Sequence, residues 1–182
     1  EINPERVESL FNLGNAYAKK CEPQEAVNYF SQALELEPNL ASALNNRGLV
    51  YTGMGNQTAA IADFEAALKI DPESQVVPFN LSIAYQRMDS LYLALDFVNI
   101  ALQRDSSKAP FYLHKGTILI QLDQQKAALE NYSKAIKISP EMPVVYNNIG
   151  NVYSQVDKVE EAQKSYEKAK AILDWVPVFN IE

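Results

Sequence analysis

Few residues in this chain of 182 could carry out chemistry, and their spacing suits binding rather than reaction. A single histidine, His114, and a single cysteine, Cys21, exclude a His- or Cys-based metal site and a disulfide framework. They also leave little room for nucleophilic catalysis. No phosphate loop, Gly-rich dinucleotide turn or HExxH occurs. No catalytic residue, cofactor or metal ligand is therefore assigned. The recurring group is the asparagine carboxamide, which offers both a donor and an acceptor. Asn12, Asn46, Asn80 and Asn148 stand in one 34-residue register with His114, flanked by Asn15, Asn45, Asn147 and Asn151. Such a row can pair with the backbone of an extended peptide whatever its side chains. Between its ends, Val76, Phe79, Ile83, Leu113 and Ile120 would form an apolar wall of the kind that marks an interaction site. The candidate peptide-binding set is Asn12, Asn15, Asn46, Phe79, Asn80, Ile83, Arg87, Leu113, His114, Asn148 and Asn151. Removing Asn46 or Asn80 is expected to weaken a ligand while leaving folding nearly intact.

The same period organises the whole chain. Gly14, Gly48, Ser82, Gly116 and Gly150 are 34 residues apart, and Tyr17, Tyr51, Tyr85, Leu119 and Tyr153 follow three residues later. Ala26, Ala60, Ala94, Ala128 and Ala162 keep the register, as do Phe30, Phe64, Val98, Tyr132 and Tyr166. Small residues let paired helices approach closely, and aromatic residues fill the space between neighbouring hairpins. Pro38, Pro72 and Pro140 stop the second helix of their units, because proline cannot continue the hydrogen-bond ladder. Cys21, Gly55, Asp89, Asp123 and Asp157 fall at the turn between helices, where glycine and aspartate tolerate a left-handed backbone; Cys21 is the exception in type. The spacing predicts first helices over 7–20, 41–54, 75–88, 109–121 and 143–155, with partners over 24–37, 58–70, 92–104, 126–138 and 160–173.

These slots resemble the tetratricopeptide repeat, a 34-residue helical hairpin. The resemblance implies an all-α, right-handed solenoid of five repeats, at 7–40, 41–74, 75–108, 109–142 and 143–176. It also implies that first helices line a concave groove and second helices form the back. The asparagine column is similar to that in the repeat arrays of O-linked N-acetylglucosamine transferases and kinesin light chains. The family's chaperone adaptors grip acidic tails with a carboxylate clamp. Its slots hold Phe11, Asn15, Asn46, Val76 and Asn80 here, so the asparagines match and every basic residue is missing.

Composition narrows the partners. Net charge is −7 and the isoelectric point about 4.8, which disfavours a sequence-independent grip on nucleic acid phosphates. No apolar run is long enough to span a bilayer. The five first helices carry a net +4, leaving −11 for the rest, with Asp63, Glu65, Glu130 and Glu161 read as a solvated back. Arg47 and Lys115 either face the groove or lie along apolar neighbours. The expected function is a non-catalytic scaffold that binds an extended segment of a partner protein. The alternatives are a recruitment module of a larger enzyme or assembly factor and, less favoured, the clamp adaptor. Cytoplasm is a default compartment only.

The ends differ. Residues 1–6 carry the closing pattern Glu1-Ile2-Asn3-Pro4, similar to Glu35-Leu36-Glu37-Pro38, and are expected to end a preceding repeat. At the other end Gln163 and Lys170 replace apolar residues, the mark of a solubilising cap, and the tail 177–182 either covers that cap or opens a sixth unit. Exposed repeat ends also leave self-association open.

Overall fold

The structure, a computed structural model, describes residues 4–175. Among them are ten α-helices and no strand. They divide into two compact units, Glu1–Arg104 and Asp105–Glu182. The first unit holds Pro4–Lys19 (α1), Pro23–Leu36 (α2), Ala41–Gly53 (α3), Gln57–Ile70 (α4), Val76–Arg87 (α5) and Leu91–Arg104 (α6). The second holds Ala109–Gln121 (α7), Gln125–Ile138 (α8), Pro143–Gln155 (α9) and Val159–Asp174 (α10). Consecutive helices pair as antiparallel hairpins, and within each unit the hairpins stack on their neighbours.

Each hairpin closes on a glycine. A β-carbon built on Gly14 or Gly48 would lie 2.6 Å from the ring of Phe30 or Phe64, and one on Gly116 or Gly150 would lie 2.4 Å from Tyr132 or 2.6 Å from Tyr166. The rings thus pack against their own hairpin's first helix, a role the sequence reading gave them only between hairpins. In the first unit Phe30 and Phe64 also share one buried cluster with Ala43, Leu44, Val77 and Leu81 of the following helices. The third hairpin solves the same contact differently. Ser82 takes the glycine position, the smaller Val98 takes the aromatic one, and the buried Ser82 hydroxyl donates to the Ala94 carbonyl at 2.6 Å.

The turns repeat one geometry. Cys21, Asp89, Asp123 and Asp157 have φ between 56° and 59°, and Gly55 has φ 79°. The residue after each donates its N–H to a carbonyl five residues back, as in Glu22 to Tyr17 and Gln124 to Leu119. This satisfies a helix-end carbonyl in the Schellman manner. Pro38, Pro72 and Pro140 each stand two residues beyond a helix end.

The helix bounds follow the predicted ones closely except at the start. α1 opens at Pro4, three residues before the predicted start, so residues 4–6 are helical; a proline there has its φ preset for a helix and lacks only a donor the first turn would leave unused. At the far end Gln163 and Lys170 are exposed as expected, but so are Val159, Leu173 and Trp175. Tyr166 is 38% exposed where Phe30 and Phe64 are fully buried. The tail 177–182 lies outside the described residues.

Candidate functional site

In the first unit α1 and α3 flank a groove of about 940 Å³. Counting positions from Val7 and Ala41, its walls come from position 6 (Asn12, Asn46), position 9 (Asn15, Leu49), position 10 (Ala16, Val50) and position 13 (Lys19, Gly53), with Ala18 and Met54 beside them. Phe30, Cys21 and Pro23 complete it. Leu49 is 45% and Met54 43% exposed, so the groove wall includes apolar surface open to solvent. Lys19 is the sole charged residue lining it. The second unit carries a smaller groove of about 210 Å³ between α7 and α9, built from the same positions: Thr117, Ile120 and Gln121 on one side, Asn148, Asn151, Val152 and Gln155 on the other. Tyr132 stands where Phe30 stands in the first.

The asparagines are tied to one another. Asn80 donates to Oδ1 of Asn45 at 2.8 Å, Asn45 to Asn46 at 3.1 Å, and Asn46 to Asn15 at 2.8 Å. One chain of carboxamides thus links α5, α3 and α1. In the second unit Asn148 hydrogen-bonds the Tyr132 hydroxyl, and the Tyr166 hydroxyl donates to Oδ1 of Asn151 at 2.8 Å. Burial raises the Tyr132 pKa, and the bonds from Thr117 and Asn148 oppose that shift.

Sequence models of the tetratricopeptide repeat match residues 7–40, 41–74 and 143–172, and a related repeat model matches 116–157, together more than half of the chain. The chain belongs to the tetratricopeptide-repeat family. Residues 75–115 fall outside these matches, and this stretch holds the Ser82 and Val98 departure. No curated protein matches by sequence. Among solved structures, MamA of Desulfovibrio magneticus RS-1 is similar at 18% identity and TM-score 0.86, over 95% of this chain and 97% of that one. Pseudomonas aeruginosa pilF gives 18% identity and TM-score 0.83 over 92% and 76%. YrrB, described as a TPR protein with an unusual peptide-binding site, gives 23% and 0.74 over 93% and 88%. At these identities the likeness is one of fold. The tetratricopeptide-repeat architecture is that of a protein–protein interaction scaffold. No helix of the described residues is long and apolar enough to cross a membrane.

Of the residues singled out from the sequence, Asn12, Asn15 and Asn46 line the first groove and Asn148 and Asn151 the second. Asn80 is 6% exposed and engaged with Asn45, so it supports the groove wall rather than facing solvent. The expectation that Asn80 is dispensable for folding does not fit that burial. Phe79 and Ile83 are half-buried on α5, and Arg87 donates to the Thr52 carbonyl at 2.9 Å, tying α5 to α3. Leu113 and His114 are half-buried on α7.

Two charged residues differ from their sequence reading. Asp63 is 6% exposed, not part of a solvated back. It accepts a bidentate fork from Arg47, at 2.8 Å from Nε and 2.7 Å from Nη2, while Nη1 of Arg47 donates to Ser31 at 2.9 Å. The hydrogen bonds with Asp63 raise the Arg47 pKa further, and the guanidinium lies 5.9 Å from the Tyr51 ring centre. Arg47 therefore belongs to the packing and not to the groove. The spacing of 16 residues that joins Gly48 to Phe64 also joins Arg47 to Asp63, a signal already present in the sequence. The sequence reading does not include Leu49, Ala16, Lys19 and Met54, at positions nine, ten, thirteen and fourteen, although it places Asn15 and Arg87, at positions nine and thirteen of other repeats, in the groove.

Proposed function

We propose that the chain is a non-catalytic scaffold that binds an extended peptide segment of a partner protein along its first helices. The observation that carries this reading is the groove between α1 and α3, where carboxamides alternate with exposed Leu49 and Met54. An extended backbone has a donor and an acceptor at each residue, which carboxamides can meet. Its alternating side chains need apolar seats, which Leu49, Val50 and Met54 supply. The recurrence of the same positions in the second unit supports a repeated mode of contact. Peptides selected from a display library, titrated calorimetrically against the chain and its Leu49→Asp and Met54→Asp variants, test it. Binding should be strongly reduced in both variants. Affinity that survives both places the ligand elsewhere.

A further inference from the structure

We infer that Lys115 of α7 and Lys134 of α8 together hold a phosphate dianion. Neither lysine lines the groove of either unit, so the site stands independently of the groove reading. The first ground is one contact compared across the hairpins, between position 7 of the first helix and the residue 16 further on. In the second hairpin this contact is the fork between Arg47 and Asp63. Three other hairpins carry no charge there: Leu13 with Tyr29, Leu81 with Phe97, and Ile149 with Ser165. The fourth keeps the cation and loses the acid. Lys115 is half-buried, and Asn131 stands where Asp63 stands in the second hairpin. Asn131 is 7% exposed; its Nδ2 donates to the Ala127 carbonyl at 2.8 Å, and its Oδ1 is buried with no partner among the described residues. A neutral carboxamide supplies no counter-charge. Lys115 therefore lacks what Asp63 gives Arg47, and a cation withdrawn from water is costly until it is paired.

The second ground is that another cation is brought to the same place. Nζ of Lys134 lies 5.7 Å from the ring centre of Tyr112, which stands one turn before Lys115 on α7. Burial first, and then the charge of Lys134, lower the Lys115 pKa. Among the described residues neither lysine belongs to an ion pair, although Glu130 stands one turn before Lys134 on α8. Two like charges are thus held together in a chain whose net charge is −7. A single carboxylate would neutralise one of them. A phosphate group carries about −1.5 to −2 at neutral pH and has several acceptor oxygens, so it answers both ammonium groups with charge-assisted hydrogen bonds. Free phosphate or a phosphorylated side chain of a partner protein supplies that chemistry.

Four probes titrated calorimetrically into the full chain separate these cases. They are inorganic phosphate, acetylated Gly-Ser-Gly amide with and without phosphate on its serine, and acetylated Gly-Glu-Gly amide. Contact is read by the ε-methylene resonances of Lys115 and Lys134. At least one phosphate probe should bind about tenfold tighter than the glutamate peptide, the worth of one additional charge-assisted hydrogen bond, and should shift both lysines. The tighter of the two phosphate probes assigns the source. Lys115→Gln and Lys134→Gln should each erase the preference. Lys126→Gln removes the same charge from an exposed site on α8 and should leave the preference intact. Asn131→Asp copies Asp63 and returns the missing acid to the hairpin. It should raise the melting temperature in phosphate-free buffer and abolish phosphate binding. Phosphate probes that bind no tighter than the glutamate peptide, or that leave the two lysine signals unmoved, overturn the assignment. So does an equal loss in Lys126→Gln, or phosphate affinity that survives Asn131→Asp.

Discussion

A β-carbon placed on Gly116 would lie 2.4 Å from the ring of Tyr132, closer than two unbonded carbons can rest. The pair is a steric key: the glycine exists so that the ring can lie flat on its partner helix. Gly116→Ala should cost about 1–3 kcal/mol in a urea titration, the usual range for overpacking a core. Gly53 is also helical but has nothing within 4 Å of a β-carbon. Gly53→Ala should therefore be neutral or stabilise by about 0.5–1 kcal/mol. Equal gains at both sites would mean that helix propensity, not the ring, decides. Gly116→Ser with Tyr132→Val, which copies Ser82 and Val98, should recover part of the stability lost in Gly116→Ser alone.

The fork between Arg47 and Asp63 is mostly withdrawn from water, so removing one partner strands the other. Asp63→Ala should cost about 3 kcal/mol by thermal or chemical denaturation. The double change Arg47→Leu with Asp63→Phe should cost far less. It installs the pair found at the same positions in the third hairpin, Leu81 and Phe97. If the double variant is as unstable as the single one, the ion pair itself rather than its burial is essential.

Asn80 should prove structural. Its removal leaves the oxygen of the half-buried Asn45 without its donor, and Asn80→Ala should lower stability by about 1 kcal/mol, the low end of the cost of an unsatisfied acceptor withdrawn from water. Asn12 is exposed, and Asn12→Ala should leave the melting curve where it is. Calorimetric scans of the two variants side by side check this contrast.

Lys115 is half-buried, and burial, with Lys134 nearby, lowers its pKa below 10.5. A base with a depressed folded-state pKa binds fewer protons folded than unfolded just below 10.5, so stability gains from this group as pH rises through that window. At neutral pH the full cost of burying the charge is present. Lys115→Met should raise Tm at pH 7, and its advantage should shrink as pH approaches 10.5. A pH-independent difference would assign the effect to packing.

Much of this architecture is readable in the residues. Period 34, the glycine and aromatic slots 16 apart, the closing prolines and the turn residues mark the helical hairpins of the described residues and nearly all their helix bounds, because these contacts lie inside one hairpin. Relations between hairpins were harder to see. Asn46 meets Asn15 at a separation of 31 residues and Asn80 meets Asn45 at 35, so neither keeps the period that reveals the column. The column reads as a row of equivalent groups. Stacking turns it into a directed chain in which some members support and others face outward. Asp63 was misplaced for a related reason: a carboxylate on a second helix looks solvated until the first helix of its own hairpin brings an arginine to it.

Cys21 sits at a left-handed turn, exposed, on the rim of the first groove, and the chain has no other thiol. The molecule therefore carries its own attachment point for a reporter. A maleimide dye or nitroxide would couple at one place, beside Asn15 and Lys19, with no cysteine to remove or introduce. Its emission or line shape would follow occupancy of that groove directly, while the groove of the second unit would stay silent.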